Sequence, residues 1–229
     1  MPKKTLLSWS SGKDSAWTLY QLQQDDDIEL VGLVTTVNET HQRVAMHAVR
    51  VELLKQQAQA AGLPLHTINI PHPCTNEIYN QAMNNFFDSI KGKGITHMAF
   101  GDLYLEDIRQ YRIDNLKPTG LEPLFPLWLK ATKQLAQAML AGGLKTRITC
   151  VDPKQIPMSF CGREFDQQFL DDLPEGVDPC GENGEFHSFA YAGPMFKHEI
   201  KITSGEVVER DGFVFADLIL EVSPEGTSA

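Results

Sequence analysis

The chain has 229 residues, 42% apolar and 22% charged, the composition of a soluble globular protein with enough length for one large domain or two small ones. A formal charge of −10 argues against binding long nucleic acid, which takes clustered Lys and Arg to neutralise phosphates. No apolar stretch has the make-up of a signal peptide or a membrane span, so the expected location is the cytoplasm, and Cys74, Cys150, Cys161 and Cys180 form no C-x-x-C pair, which argues against zinc-ribbon, iron–sulfur and disulfide frameworks.

In chain order, the short apolar run at Leu6-Leu7 predicts a buried strand. Ala16, Trp17, Leu19, Tyr20 and Leu22 then recur at helical spacing. Ile28 to Val37 is rich in branched apolar residues, as in a parallel strand covered on both faces. The pattern predicts a helix over Val44 to Ala61 with Gly62 as its stop, a strand over Leu65 to Ile70, a helix over Asn76 to Ile90 with Ile78, Ala82, Phe86 and Ile90 inward, and a strand over Ile95 to Phe100. Leu121 to Trp128, with two prolines, reads as a short strand and a stiff crossover. A helix over Lys130 to Leu140 and a strand over Thr146 to Val151 continue the alternation. Beyond Asp152 prolines punctuate irregular chain, with one short helix around Arg163 to Leu170. Phe186 to Tyr191, Met195 to Thr203 and Phe213 to Val222 read as strands, with turn chemistry at Ser204-Gly205 and Asp211-Gly212, and Ser223 to Ala229 is expected to be disordered. The fold class is therefore α/β: a Rossmann-like parallel sheet built from right-handed βαβ units, with a smaller α+β region of antiparallel strands at the C-terminal end.

Such sheets bind ligands beyond the carboxyl ends of their strands. Ser10-Ser11-Gly12-Lys13-Asp14-Ser15 lies at one such end; Thr35-Thr36 and Gly101-Asp102 lie at two others. A turn that opens a helix presents free N–H groups at the positive end of the helix dipole. Gly12 permits close approach, Lys13 adds a full charge, and the hydroxyls of Ser10, Ser11 and Ser15 add donors. The site suits phosphate. It is not a Walker A loop, because Leu7 stands where the first Gly of that motif belongs and Asp14 follows Lys13.

Two further segments carry chemistry. Gly101 to Arg112 is unusually charged for chain next to a buried strand. Either it is an exposed helix terminus whose charges suit the dipole, or Asp102 with Glu106 or Asp107 holds Mg²⁺ beside the phosphates, since a hard cation takes one or two carboxylates plus phosphate oxygens. Cys180 to Phe189 is a Gly-rich turn that displays Glu182, Glu185 and His187. A turn of that kind costs conformational entropy and is expected to add nothing to a core. Met46-His47 follows the second strand, where His47 lines the nucleotide or substrate pocket or is a surface or capping residue.

The Ser10–Ser15 loop resembles the S-G-G-K-D-S loop of the N-type ATP pyrophosphatases (PP-loop enzymes, of the adenine nucleotide alpha hydrolase or HUP-type architecture), with Ser11 in place of the Gly at the motif's second position. Taken with G-D-x-x-x-E-D-x-R, E-P-L-x-P-L-W and G-E-N-G-E-F-H-S in that order, the chain from Lys4 to about Phe196 is similar to the diphthine-ammonia ligase family of these enzymes; Asn183 and Ser188 stand where the family usually has Gly and Thr. The resemblance implies an AMP-forming amide ligase that adenylates a carboxylate and transfers ammonia to it, with ATP and Mg²⁺ as cofactors. It implies that Ser10, Ser11, Gly12, Lys13, Asp14, Ser15, Thr35, His47 and Gly101 bind the nucleotide and that Asp102, Glu106 and Asp107 hold the metal. Glu182, Gly184, Glu185, His187 and Arg109 would take the substrate, and Lys13, Glu185 and His187 would be catalytic. The division expected is residues 1–128 for ATP and 129–229 for substrate, the partners a carboxylate-bearing protein or small molecule and ammonia, with a homodimer left open. Two other readings stay open: a tRNA-base-modifying PP-loop enzyme, which the acidic charge and the missing cysteine pair oppose, and a nucleotide-binding regulatory module without turnover.

Overall fold

Leu6 and Leu7 are neighbours in β1 (Lys3–Ser8), fully buried, and point to opposite faces of the strand, as the pleat requires. Leu7 enters a core with α1 (Lys13–Gln23) and α2 (Val51–Ala61); Leu6 enters a smaller one with Phe87 and Ile90 of α3 (Asn76–Ile90) and Leu116 of α4 (Glu106–Leu116). Burial on both faces is what makes the first strand apolar without alternation, and each such side chain contributes about 1.5–3 kcal/mol. The computed structural model describes residues 1–38, 43–44, 49–71 and 73–221.

Five parallel strands run in the order β4 (Leu65–Ile70), β2 (Ile28–Asn38), β1, β5 (His97–Ala99), β6 (Glu122–Leu124). The chain therefore winds outward from β1 to one edge, returns, and continues on the other side of β1. Between β1 and β5 strand order reverses, and there ligands bind in open α/β sheets. Pro123 sits in β6, an edge strand, where a missing N–H costs no ladder bond.

A second sheet, antiparallel, has the order β8 (Phe186–Ala192), β7 (Lys145–Val151), β10 (Phe213–Leu220), β9 (Ile202–Arg210). Its strand β7 follows α5 (Thr132–Ala141) but pairs with β8 and β10 rather than extending the parallel sheet, so the α/β alternation ends at β6. The first core is continuous into this region through Ile148, Phe186, Phe189 and Phe169 of the short α6 (Gln167–Asp172).

Several sequence expectations need correction. The helix expected from Val44 begins at Val51; Arg43–Val44 is instead β3, antiparallel to the end of β2 with Val44 opposite Val37. Gly62 does end α2, in the left-handed conformation at φ 71°. Ile78 is 41% exposed; the buried stripe of α3 lies at Phe87 and Ile90. Met195 to Ile200 forms turns rather than strand, and Ser204-Gly205 lies inside β9, where the register to β10 shifts between Ala216 and Leu218, so the apparent turn signal marks a bulge. Asp211 and Gly212, both at positive φ, form the β9–β10 hairpin turn. The reading of Ser223 to Ala229 lies outside the described residues.

Gly101, just past β5, closes the switch point: a Cβ there would stand 3.1 Å from the carbonyl carbon of Asp14 and 3.1 Å from Thr18 Oγ1. Backbone at a helix start cannot recede cheaply. Gly101→Ala is expected to lower stability by about 1–3 kcal/mol, read as a fall in the denaturant midpoint with an unchanged slope.

Candidate active site at the switch point

The loop after β1 is held by groups from three parts of the chain. Trp9 N–H donates to the Val34 carbonyl, which carries the loop off the end of β1 at the level of Thr35, a buried residue of β2. Ser11 then takes a left-handed conformation, φ 72°, a backbone geometry that favours Gly. Its carbonyl turns inward and accepts from Ala190 N–H of β8 at 2.9 Å and from Gln57 Nε2 of α2 at 2.9 Å. Gly12 caps α1 without a side-chain bond, and the first helical N–H, that of Lys13, donates to Ser188 Oγ at 3.1 Å. Ser10 and Ser15 share a hydroxyl contact of 3.1 Å, and Ser15 Oγ donates to the Gly12 carbonyl at 3.0 Å. Ser11 Oγ and Asp14 Oδ1 are buried without a partner.

Lys13 is 3% exposed. Its ammonium donates to Asp14 Oδ2 at 2.7 Å and to the Cys180 carbonyl, and it lies 5.4 Å from the Phe186 ring centre. Burial alone would lower the lysine pKa; Asp14 beside it and the more distant carboxylate of Glu182 hold it above the ordinary value. The cation of the first constellation is thereby tied to the turn of the second.

That turn docks back on the segment after β5. Glu182 Oε1 accepts from Leu103 N–H at 2.8 Å, and Tyr104 Oη donates to Asn183 Oδ1 at 3.1 Å. Burial pushes Glu182 up to about 7, against the Leu103 N–H that favours its charged form and with the carboxylates of Asp14 and Asp102 adding to the rise. Glu185 overturns the expectation of a turn without buried parts. It is 2% exposed, and it accepts from Asp178 N–H at 3.1 Å, Asn183 N–H at 2.9 Å and Asn183 Nδ2 at 3.0 Å, so its carboxylate braces the turn. Gly181, at φ 69°, and Gly184, at φ 83°, supply the backbone that wraps around it.

Strand alternation sorts the rest. Phe186, Ser188 and Ala190 share the side of β8 that meets the loop, whereas His187 projects from the other side, in register with Cys150. Desolvation first, and then the Lys13 charge, lower the His187 pKa to about 4, so the ring is neutral at pH 7. Burial raises the Cys180 thiol, which donates to the Thr132 carbonyl, and leaves it a poor nucleophile.

The charged segment does not gather its acids. Glu106 and Asp107 are exposed in the first turn of α4, with Glu106 bonded to Arg109 at 3.1 Å, while Asp102 pairs with Arg112 at 3.5 Å. Among the described residues no three His, Cys, Asp or Glu side chains are grouped to hold a metal by themselves. Arg109 lies against the rings of Trp128, at 4.9 Å, and Phe125, at 5.3 Å. His47 lies outside the described residues. Sequence reasoning missed Gln57, whose only trace is an amide on the apolar face of α2, and gave Ser188 no role although it stands in the second motif.

Ser11→Gly is expected to stabilise the chain by about 1 kcal/mol: relief of left-handed strain and loss of an orphan hydroxyl outweigh the added chain entropy of Gly. Urea unfolding of the two proteins checks it. For Glu182 the sign of pH dependence follows from a folded pKa near 7 above the ordinary 4.5: the folded state binds the extra proton in that window, so this contribution is present below 4.5 and lost as pH rises to 7. Glu182→Gln should flatten that part of the stability profile, and an unchanged slope between pH 4.5 and 7 would contradict the assignment.

Comparison with known proteins gives the same picture at the level of family. Residues 3–121 match the diphthamide synthase N-terminal domain and residues 131–218 match the diphthamide synthase C-terminal domain. The chain is 27% identical over 234 residues to a diphthine--ammonia ligase of Bos taurus, covering 90% of this chain and 85% of that protein, and 26% identical over the same shares to one of Homo sapiens. A diphthine--ammonia ligase of Danio rerio is 30% identical over 118 residues, 49% of this chain and 46% of its own length. With both domain models matched in order along it, the chain belongs to the diphthamide synthase family.

Proposed function

We propose that this chain is an ATP-dependent amide ligase that converts the carboxylate of a diphthine side chain to an amide with ammonia, forming AMP and pyrophosphate. The acceptor and the nitrogen donor are those in the names of its relatives. The observation that carries the reading is the meeting, at the switch point, of a phosphate-sized loop with a turn that bears an acid poised near neutrality. In the first step an acceptor carboxylate oxygen attacks the α-phosphorus and pyrophosphate leaves. In the second, ammonia attacks the acyl carbon of the mixed anhydride and AMP leaves with the bonding pair.

Ser10, Ser11, Gly12, Lys13, Asp14 and Ser15 bind the phosphates, with Thr35 and Gly101 walling the crevice, and residues 1–128 form the ATP half. Lys13 stabilises charge on the leaving pyrophosphate by exchanging the Cys180 carbonyl for phosphate oxygen. Asp14, with an unpartnered Oδ1, and Asp102 fit as the carboxylates that would hold Mg²⁺, which supplies charge neutralisation at the phosphates. In the acceptor half, residues 129–229, Glu182 takes the proton from the attacking amine, because a base near 7 is matched to the task. His187, a far weaker base, orients the acceptor as a neutral ring, Glu185 and Gly184 hold the turn, and Arg109 contacts the acceptor at the rim.

Incubation with ATP, Mg²⁺, ammonium and a diphthine-bearing protein is expected to yield AMP and pyrophosphate in step with amide. Lys13→Met should cut that rate by about 10²–10³. ADP and orthophosphate as products, or an undiminished rate in Lys13→Met, would overturn the reading.

A further inference from the structure

Gln57 is fully buried on α2 and uses its whole amide: Oε1 accepts from Trp9 Nε1 at 2.9 Å, and Nε2 donates to the Ser11 carbonyl at 2.9 Å and the Ala190 carbonyl at 2.7 Å. Two carbonyls at one end and an indole N–H at the other fix which terminus is nitrogen. At a position on the core-facing side of a helix a leucine or methionine would pack at no polar cost, whereas a buried amide is tolerated only when its bonds are made.

The bond to Ser11 has a directional consequence. In a planar trans peptide the carbonyl of Ser11 and the N–H of Gly12 point in opposite directions. Gln57 and Ala190 N–H hold that carbonyl inward, which aims the Gly12 N–H outward from the loop, where its contact is a long one of 3.3 Å with Ser10 Oγ. Two donors from different elements on one carbonyl oppose a flip of this peptide, which would break both bonds.

We propose that Gln57 is a positioning residue for the phosphate loop: by fixing the Ser11 carbonyl it orients the Gly12 N–H toward the ATP phosphates, and by bonding Ala190 at the same time it sets β8 in register with that loop. The proposal rests on the reading that the ATP phosphates lie at this loop. Gln57 touches neither substrate and acts through the Ser11–Gly12 peptide.

The test is calorimetric titration of the full chain with α,β-methylene-ATP and Mg²⁺. Wild type is compared with Gln57→Met, which loses every amide bond, Gln57→Glu, which keeps the acceptor for Trp9 and loses both donors, and Leu53→Val, a core change on the same helix that lowers the melting temperature without touching the loop. Both Gln57 variants are expected to bind the analogue about ten-fold more weakly or worse, the scale of one hydrogen bond to a charged group, and in turnover to raise KM for ATP while KM for ammonia stays unchanged. Leu53→Val should bind within about two-fold of wild type, since it perturbs the packing of the same helix face and removes none of the hydrogen bonds to Ser11 or Ala190. Wild-type affinity in whichever Gln57 variant folds, or an equal loss in Leu53→Val, overturns the proposal. Analogue binding by a wild-type chain that forms no amide overturns the ligase reading and leaves this one standing; no analogue binding at all overturns both.

Discussion

The start of α1 has no side-chain cap of its own, and the structure depends on where that missing partner comes from. It comes from β8: Ser188 Oγ receives the Lys13 N–H and Ala190 N–H bonds the Ser11 carbonyl. A cap is worth about 1 kcal/mol, too little alone to join two sheets. The buried Lys13 ammonium adds more, because breaking such a cation from its partners typically costs about 3–5 kcal/mol, and one partner, the Cys180 carbonyl, belongs to the far half of the chain. The phosphate loop is therefore a composite of residues 46 to 175 positions apart in sequence, and neither half presents it alone.

That dependence explains why two glutamates three residues apart differ so much. Glu185 spends its carboxylate on N–H groups inside the turn, so it fixes shape. Glu182 reaches across to Leu103, and its burial in the crevice, with Asp14 and Asp102 adding through space, pushes it up to about 7. Environment, not residue type, divides the roles. His187 follows the same logic with the opposite sign: in a dry setting next to a cation, an imidazole stays neutral.

Much of this was legible in the chain. Strands buried on both faces announce themselves by composition, as Ile28 to Val37 does, and Gly62 and Asp211-Gly212 end elements through local backbone geometry that needs no knowledge of the rest. The loop and the Gly181–Ser188 turn were legible as motifs. Illegible were the features decided by partners far away. Val44 joins β3 because Val37 offers it a ladder, although its local pattern suits a helix. Ser204-Gly205 looks like a turn and is a bulge because β10 lies alongside. The pairing of Glu106 with Arg109 and of Asp102 with Arg112 was illegible too, since a run of charges does not say which partners meet. Gln57 and Ser188 carry no periodic signal, as their partners lie in other elements.

Local strain and distant contacts meet at Ser11. A left-handed serine costs about 1–2 kcal/mol relative to an unstrained geometry, and its hydroxyl, buried without a partner, returns nothing in this arrangement. The conformation persists because the peptide that follows is overdetermined: two donors from different elements hold its carbonyl, and the N–H after it begins a helix. Strain kept in place by several independent contacts is the expected state of a loop whose N–H groups must point at a ligand before the ligand arrives. The same contacts come from α2 and β8, so the direction in which this loop faces is a property of the whole fold and not of the six residues that spell the motif.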